Sequence, residues 1–162
     1  GDELFSLFSE TIPQARGRRL ERVLNDLFKV SGILVRESFA LVEDHEDGVL
    51  EQIDGVIELE GELYLVEMKW LSRAVSVGDV SHHLVRIYHR GSSRGLFISV
   101  TEFSPAAIKT CKEALQQKVV VLCLLREIIC RLEKDGDMKD LIKDKVRRAV
   151  VEKQPFHQVQ AG

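Results

Sequence analysis

Asp54 is followed thirteen residues later by Glu67-Met68-Lys69. The surroundings of these charged residues are apolar: Ile53 precedes the aspartate, Gly55-Val56-Ile57 follow it, and Leu63-Tyr64-Leu65-Val66 lead into the glutamate. Aspartate is disfavoured within strands. Charged groups inside apolar strands cost stability unless they are paired or bind a metal. Glu67 and Lys69 share one face of an extended chain, roughly 7 Å apart along it. Neighbouring carboxylates repel unless a cation lies between them, and hard oxygen ligands suit Mg²⁺. That ion keeps part of its water and completes its shell with substrate phosphate. A lysine beside it can orient or help deprotonate an attacking water, or offset charge building on the phosphate. These are the parts that phosphodiester hydrolysis needs. A plainer reading stands beside this one: a Glu-x-Lys strand face is most often solvated, and its ion pair contributes little.

The hydrophobic pattern supplies the elements that would position these residues. Residues 51–59 and 63–70 read as two strands of a hairpin turning at Glu60-Gly61-Glu62. Leu65, Glu67 and Lys69 fall on one face of the second strand, and Tyr64, Val66 and Met68 on the other. Upstream, Leu20, Val23, Leu24, Leu27 and Phe28 recur at helical spacing, predicting a helix over about 16–30 that ends at Ser31-Gly32. A strand over 33–42 and an acidic loop, Glu43 to Asp47, follow it. Downstream come a helix over 80–90, a strand over 95–100 and a helix from Pro105 to about 117, capped by Ser104. An almost wholly apolar strand, 118–124, fits a doubly covered position. Helices over about 125–134 and 138–153 close the chain. The order α-β-β-β-α-β-α-β-α-α predicts a mixed β-sheet flanked by helices, an α/β domain.

Asp54…Glu67-Met68-Lys69 resembles the PD-(D/E)xK nuclease motif, and its setting resembles the Mrr-like restriction endonuclease branch of that superfamily. Gly17-Arg18-Arg19-Leu20-Glu21-Arg22-Val23-Leu24 resembles the family's first helix, with Glu21 in the place of its helix glutamate. Residues 95–107, GLFISVTEFSPAA, and Val119-Val120-Val121-Leu122 resemble its later strands and helix. Ile53 stands where the motif's name has proline. The resemblance covers about residues 17–132. It implies a restriction-endonuclease-like core, αβββαβαβ in order, within a single nuclease domain over 1–162 that carries a helical extension at about 136–153. It further implies that Asp54, Glu67 and the Met68 backbone carbonyl hold Mg²⁺, with Mn²⁺ able to substitute. Lys69 would position the water, and Glu21 would hold a second metal or its water shell. Gln52, two residues before Asp54 on the same face, is a candidate supporting residue, although an ordinary strand glutamine fits as well.

The expected function is metal-dependent cleavage of DNA, double-stranded DNA foremost. Two alternatives remain open on the sequence: a catalytically silent module of the same fold that binds nucleic acid or protein, and an RNA-directed nuclease. Lys+Arg number 23 against 26 Asp+Glu, a net charge of -3, so any nucleic-acid contact must come from a local basic patch. The candidates are Arg18, Arg19, Arg73, His83, Arg86 and Arg90; for each, an ordinary solvated face is about as good a reading. The acidic loop would repel DNA and should face away. Cys111, Cys123 and Cys130 have no CxxC spacing, which fits free thiols in a reducing cytoplasm; the resemblance implies a bacterial or phage-like setting. No apolar run approaches the roughly 20 residues of a membrane helix. Gly1 reads as a trimmed tag or as the start of a domain cut from a longer protein. Cutting both strands of a duplex would suit a homodimer. Leu4, Phe5, Leu7 and Phe8, or the stripe from Met138 to Val150, are candidate interfaces, with packing on the chain's own core somewhat favoured.

Overall fold

The structure, a computed structural model, describes the backbone of residues 2–42 and 50–157 and the side chains of 3–40 and 52–157. The acidic loop lies outside the described residues. In chain order the elements are α1 (Asp2–Ser6), a 3-10 turn (Leu7–Ser9), α2 (Pro13–Val30), β1 (Leu34–Val42), β2 (Leu50–Leu59), β3 (Glu62–Lys69), α3 (Val77–Tyr88), β4 (Arg94–Ser99), α4 (Pro105–Ala114), β5 (Val120–Leu124), α5 (Leu125–Glu133) and α6 (Met138–Glu152). The strands lie side by side in chain order. β1, β2 and β3 run antiparallel, whereas β3, β4 and β5 run parallel. The mixed α/β sheet expected from the pattern is the one formed, with α1 and the 3-10 turn added at its start.

The alternation within β3 sorts the core into two layers. Tyr64, Val66 and Met68 pack with Leu96, Ile98, Val121 and Cys123 against Leu20, Leu24 and Phe28 of α2 and Leu141 and Ile142 of α6. Leu65 packs with Phe97 and Leu122 against Val80, Leu84 and Ile87 of α3 and Ala107 and Cys111 of α4. Two parallel crossovers of one hand bring α3 and α4 to the same face. The turn between β2 and β3 has two residues, Glu60 and Gly61, both at positive φ (50° and 82°), the geometry whose twist matches the flanking strands. Ser104 Oγ accepts from Ala107 N at 3.1 Å and Pro105 opens α4, as the sequence leads one to expect.

Both candidate interface stripes pack in part on the chain's own core, whereas Phe5, Phe8 and Val150 are exposed. Leu4 and Leu7 are buried, as are Met138, Leu141, Ile142 and Ala149. α6 also brings Lys145 to Glu127 of α5, at 2.8 Å and 2.9 Å to its two oxygens, in a pair that is almost wholly buried. The same Nζ donates to the His157 carbonyl at 2.7 Å, and Leu122 N donates to the Pro155 carbonyl at 2.9 Å. The segment after α6 is thereby fastened to β5. Among the described residues no helix is long and apolar enough to cross a membrane.

Candidate active site

β2 and β3 pair from Leu59↔Glu62 to Gly55↔Val66, and the ladder stops there. One step further, Asp54 would face Glu67. Instead the Met68 N–H donates to Asp54 Oδ2 at 2.8 Å, so a side chain takes the place of a ladder carbonyl. The alternation of β2 is interrupted at the same point. Ile53 and Val56, three positions apart, both pack with the α3 and α4 layer. Strict alternation would send them to opposite faces. The strands fork at Asp54-Gly55, where the candidate residues gather.

A helix from each layer holds the fork. On the α2 side Asn25, 4% exposed, donates through Nδ2 to the Asp54 carbonyl at 3.0 Å. Glu21, one helical turn before Asn25, is near enough to Asp54 to raise its pKa by repulsion and hydrogen bonding. On the α3 side Arg86 Nη1 donates to Glu67 Oε2 at 2.6 Å. Lys69 Nζ lies 3.4 Å from the other oxygen, Oε1. His83 Nδ1 is 3.9 Å from Oε2. Burial pushes the imidazole pKa down to about 3, aided by Arg86, so His83 meets Glu67 as a neutral ring.

Gly55 is required by this packing. A Cβ there would lie 2.6 Å from Asn25 Oδ1. We expect Gly55→Ala to destabilise the protein by about 1–3 kcal/mol, as overpacking does. A urea midpoint unchanged from wild type would contradict the close fit of α2 to the fork.

The electrostatics of the two central carboxylates are set by burial. Asp54 and Glu67 are each 6% exposed. Burial raises Asp54 to about 7, the Met68 N–H bond opposes the rise, and Glu21 adds to it. Glu67 is also raised, by burial first and by Asp54 next, with Arg86 and Lys69 pulling the other way. Two carboxylates are thus buried together, with Asp54 working against the ionised form of Glu67.

Glu21, Asp54, Glu67 and Lys69 therefore meet in one place. The nucleic-acid candidates divide. Arg18 is exposed, in a cleft of about 300 Å³ that it shares with Glu21, Arg22 and Asn25. Arg19 turns to the N-terminal segment, 3.0 Å from Ser6 Oγ and 3.7 Å from Glu10. Arg73 is exposed and pairs with Asp79 at 2.7 Å. Arg90 is half-buried. His83 departs from the expectation: at 2% exposure, packed edge-on against Phe97, it has no surface to offer a phosphate. Arg86 is engaged with Glu67 and is not an ordinary helix-face cation. Gln52 is exposed on β2 opposite Ala40. Sequence reasoning missed Asn25, although it falls at i+4 from Glu21. A larger groove, about 880 Å³, lies at the other end of the hairpin beside Glu60, Glu62 and Tyr64, away from these groups.

The donor chemistry fits a hard divalent cation. Asp54 and Glu67 are oxygen ligands, Asp54 raises the pKa of Glu67, and a cation between them would relieve that repulsion. Among the described residues no three His, Cys, Asp or Glu side chains gather at ligand spacing. An ion here would rely on the two carboxylates, a main-chain carbonyl and water.

No curated protein sequence matches the chain. Three solved structures are similar in fold. A "Protein of Unknown Function AF1548" is 18% identical over 65% of this chain and 55% of its own, with a TM-score of 0.47. The MspJI restriction endonuclease in complex with a 27-mer oligonucleotide is 23% identical over 65% of this chain and 24% of its own, at 0.40. The DNA modification-dependent restriction endonuclease AspBHI is 17% identical over 84% and 32%, also at 0.40. The chain thus spans from a quarter to about half the length of these proteins. A family model described as "Restriction endonuclease" (Mrr_cat) matches residues 12–129, from the start of α2 into α5. That match takes in most of the chain and all four residues at the fork, and the chain belongs to this restriction endonuclease family.

Proposed function

We propose that this chain is a Mg²⁺-dependent deoxyribonuclease domain of PD-(D/E)xK type that hydrolyses phosphodiester bonds in double-stranded DNA. The observation that carries the reading is the fork. Two buried carboxylates, Asp54 and Glu67, stand together where β2 and β3 part, with Lys69 Nζ 3.4 Å from one and Glu21 beside the other. Burial of this kind is costly unless a cation or a partner repays it. Asp54, Glu67 and the Met68 carbonyl would hold the ion, with Glu21 serving a second ion or its water. Bound there, a divalent ion supplies a Lewis acid for the phosphate and a more acidic water. Lys69, half-exposed at the mouth of the fork, orients that water and offsets charge on the phosphate. Arg18 and Arg22, exposed along the cleft beside Glu21, face the nucleic acid backbone. The whole of 1–162 acts as one domain, because α6 packs into the same core as α2.

Incubation of the protein with plasmid and linear DNA and with RNA, in Mg²⁺, Mn²⁺ or chelator, tests this. DNA cleavage that needs the metal and disappears in Asp54→Ala is the expected result. Salt-sensitive DNA binding without cleavage, unchanged in Asp54→Ala, would assign a binding module instead. Preference for RNA would redirect the substrate.

A further inference from the structure

We propose that Arg86 is the cation that stands in for the metal at Glu67, and that it passes from Glu67 to the substrate's phosphate when the site is loaded. This rests on reading Asp54 and Glu67 as a divalent-cation site.

The molecule contains its own comparison for what a permanent buried ion pair looks like. Lys145 and Glu127 have side chains 1% and 2% exposed, the ammonium touches both carboxylate oxygens, and a main-chain carbonyl takes a further N–H. The Arg86–Glu67 pair is built otherwise. Glu67 is deep, its side chain 8% exposed, whereas that of Arg86 is 25% exposed. The guanidinium thus spans from the buried carboxylate to the open side of α3. It meets Oε2, while Oε1 faces Lys69.

Charge bookkeeping points the same way. Without an ion at the fork, Glu67, 6% exposed beside the equally buried Asp54, needs a counter-cation. Arg86 provides one that is always charged. With a divalent ion at the fork, Glu67 no longer needs Arg86, and two cations on one carboxylate repel. A phosphodiester then adds one negative charge. Arginine suits the second role, since its planar fork matches a phosphate's oxygens. A place-holder of this kind lowers metal affinity while raising the cleavage rate. An arginine that merely props Glu67 would, when removed, weaken both.

The experiment is calorimetric titration of Mn²⁺ alone into metal-free wild type, Arg86→Met and Arg86→Lys, with single-turnover DNA cleavage at saturating metal. Arg86→Met is expected to bind Mn²⁺ at least fivefold more tightly and to cut at least tenfold more slowly, with Arg86→Lys between on both measures. Circular dichroism confirms folding. Should Arg86→Met fail to fold, Arg86→Lys must still show tighter metal binding with slower cleavage. Equal or weaker metal binding in the folded variants overturns the place-holder role. Tighter binding with unchanged cleavage overturns the transfer to phosphate. A wild type that binds no Mn²⁺ overturns the metal-site reading beneath both.

Discussion

Lys69→Ala is expected to slow DNA cleavage by about 10²–10⁴-fold at saturating Mg²⁺, the range of a lost general acid or base, while metal affinity stays within a few-fold of wild type. The separation follows from geometry. Lys69 Nζ is 3.4 Å from Glu67 Oε1, yet its side chain is 40% exposed. Losing so solvated a partner costs roughly 0–1 kcal/mol of stability, so the variant folds. What vanishes is the ammonium at the mouth of the fork. Asp54 and Glu67, the proposed ligands, remain, with Asp54 held by Met68 N. Single-turnover cleavage beside a metal titration reads the two effects apart. Cleavage within threefold of wild type would remove Lys69 from the mechanism.

The second large effect is on stability. Asp54 is raised to about 7 by burial, with Glu21 adding to the rise. Unfolded, its carboxyl titrates near 3.8. Between those values the native state holds a proton that the unfolded state has released. Stability of the metal-free protein therefore falls as pH rises from about 4 to about 7, and the full cost persists above that. The slope is about 1.4 kcal/mol per pH unit for one proton, an upper figure. Asp54→Asn keeps an oxygen for the Met68 N–H and removes the ionisation. It is expected to flatten the slope and to stabilise the metal-free protein at pH 8 by a few kcal/mol, while abolishing cleavage. Urea unfolding in chelator across pH 4–8 measures this. A variant less stable than wild type at pH 8 would mean that the buried carboxylate is already compensated.

Much of this site is legible in the sequence because its strands alternate cleanly. The β3 pattern placed Glu67 and Lys69 on one face and Met68 on the other, and the two core layers obey it. The spacing to Asp54 brought the carboxylates together across a two-residue turn. The pattern fails where periodicity fails. The interruption at Asp54-Gly55 has no signature in a pattern that assumes alternation. Asn25 sits one position past Leu24, inside an apolar stripe, and looks like a helix polar residue that points outward. Arg86 and His83 share a helix with exposed His82 and His89. Nothing local says that two of these basic residues turn toward a glutamate on another element, with Arg86 and Glu67 nineteen positions apart. His83 does leave a trace, falling on the stripe of Val80, Leu84 and Ile87 that packs on the sheet. Leu4 and Leu7 are buried by tertiary packing that so short a helix cannot announce.

The division of the fork between two layers has a bearing on how the protein is made. Every residue proposed to cut lies before position 70, yet the wall behind Glu67 comes from His83, Arg86 and Phe97. A chain still emerging from the ribosome carries the complete set of cutting residues long before it carries the counter-charge for Glu67. Half-synthesised, it exposes an acidic hairpin with no second layer to bury it. On the proposed function, the blade is translated first and cannot cut until the handle has been added.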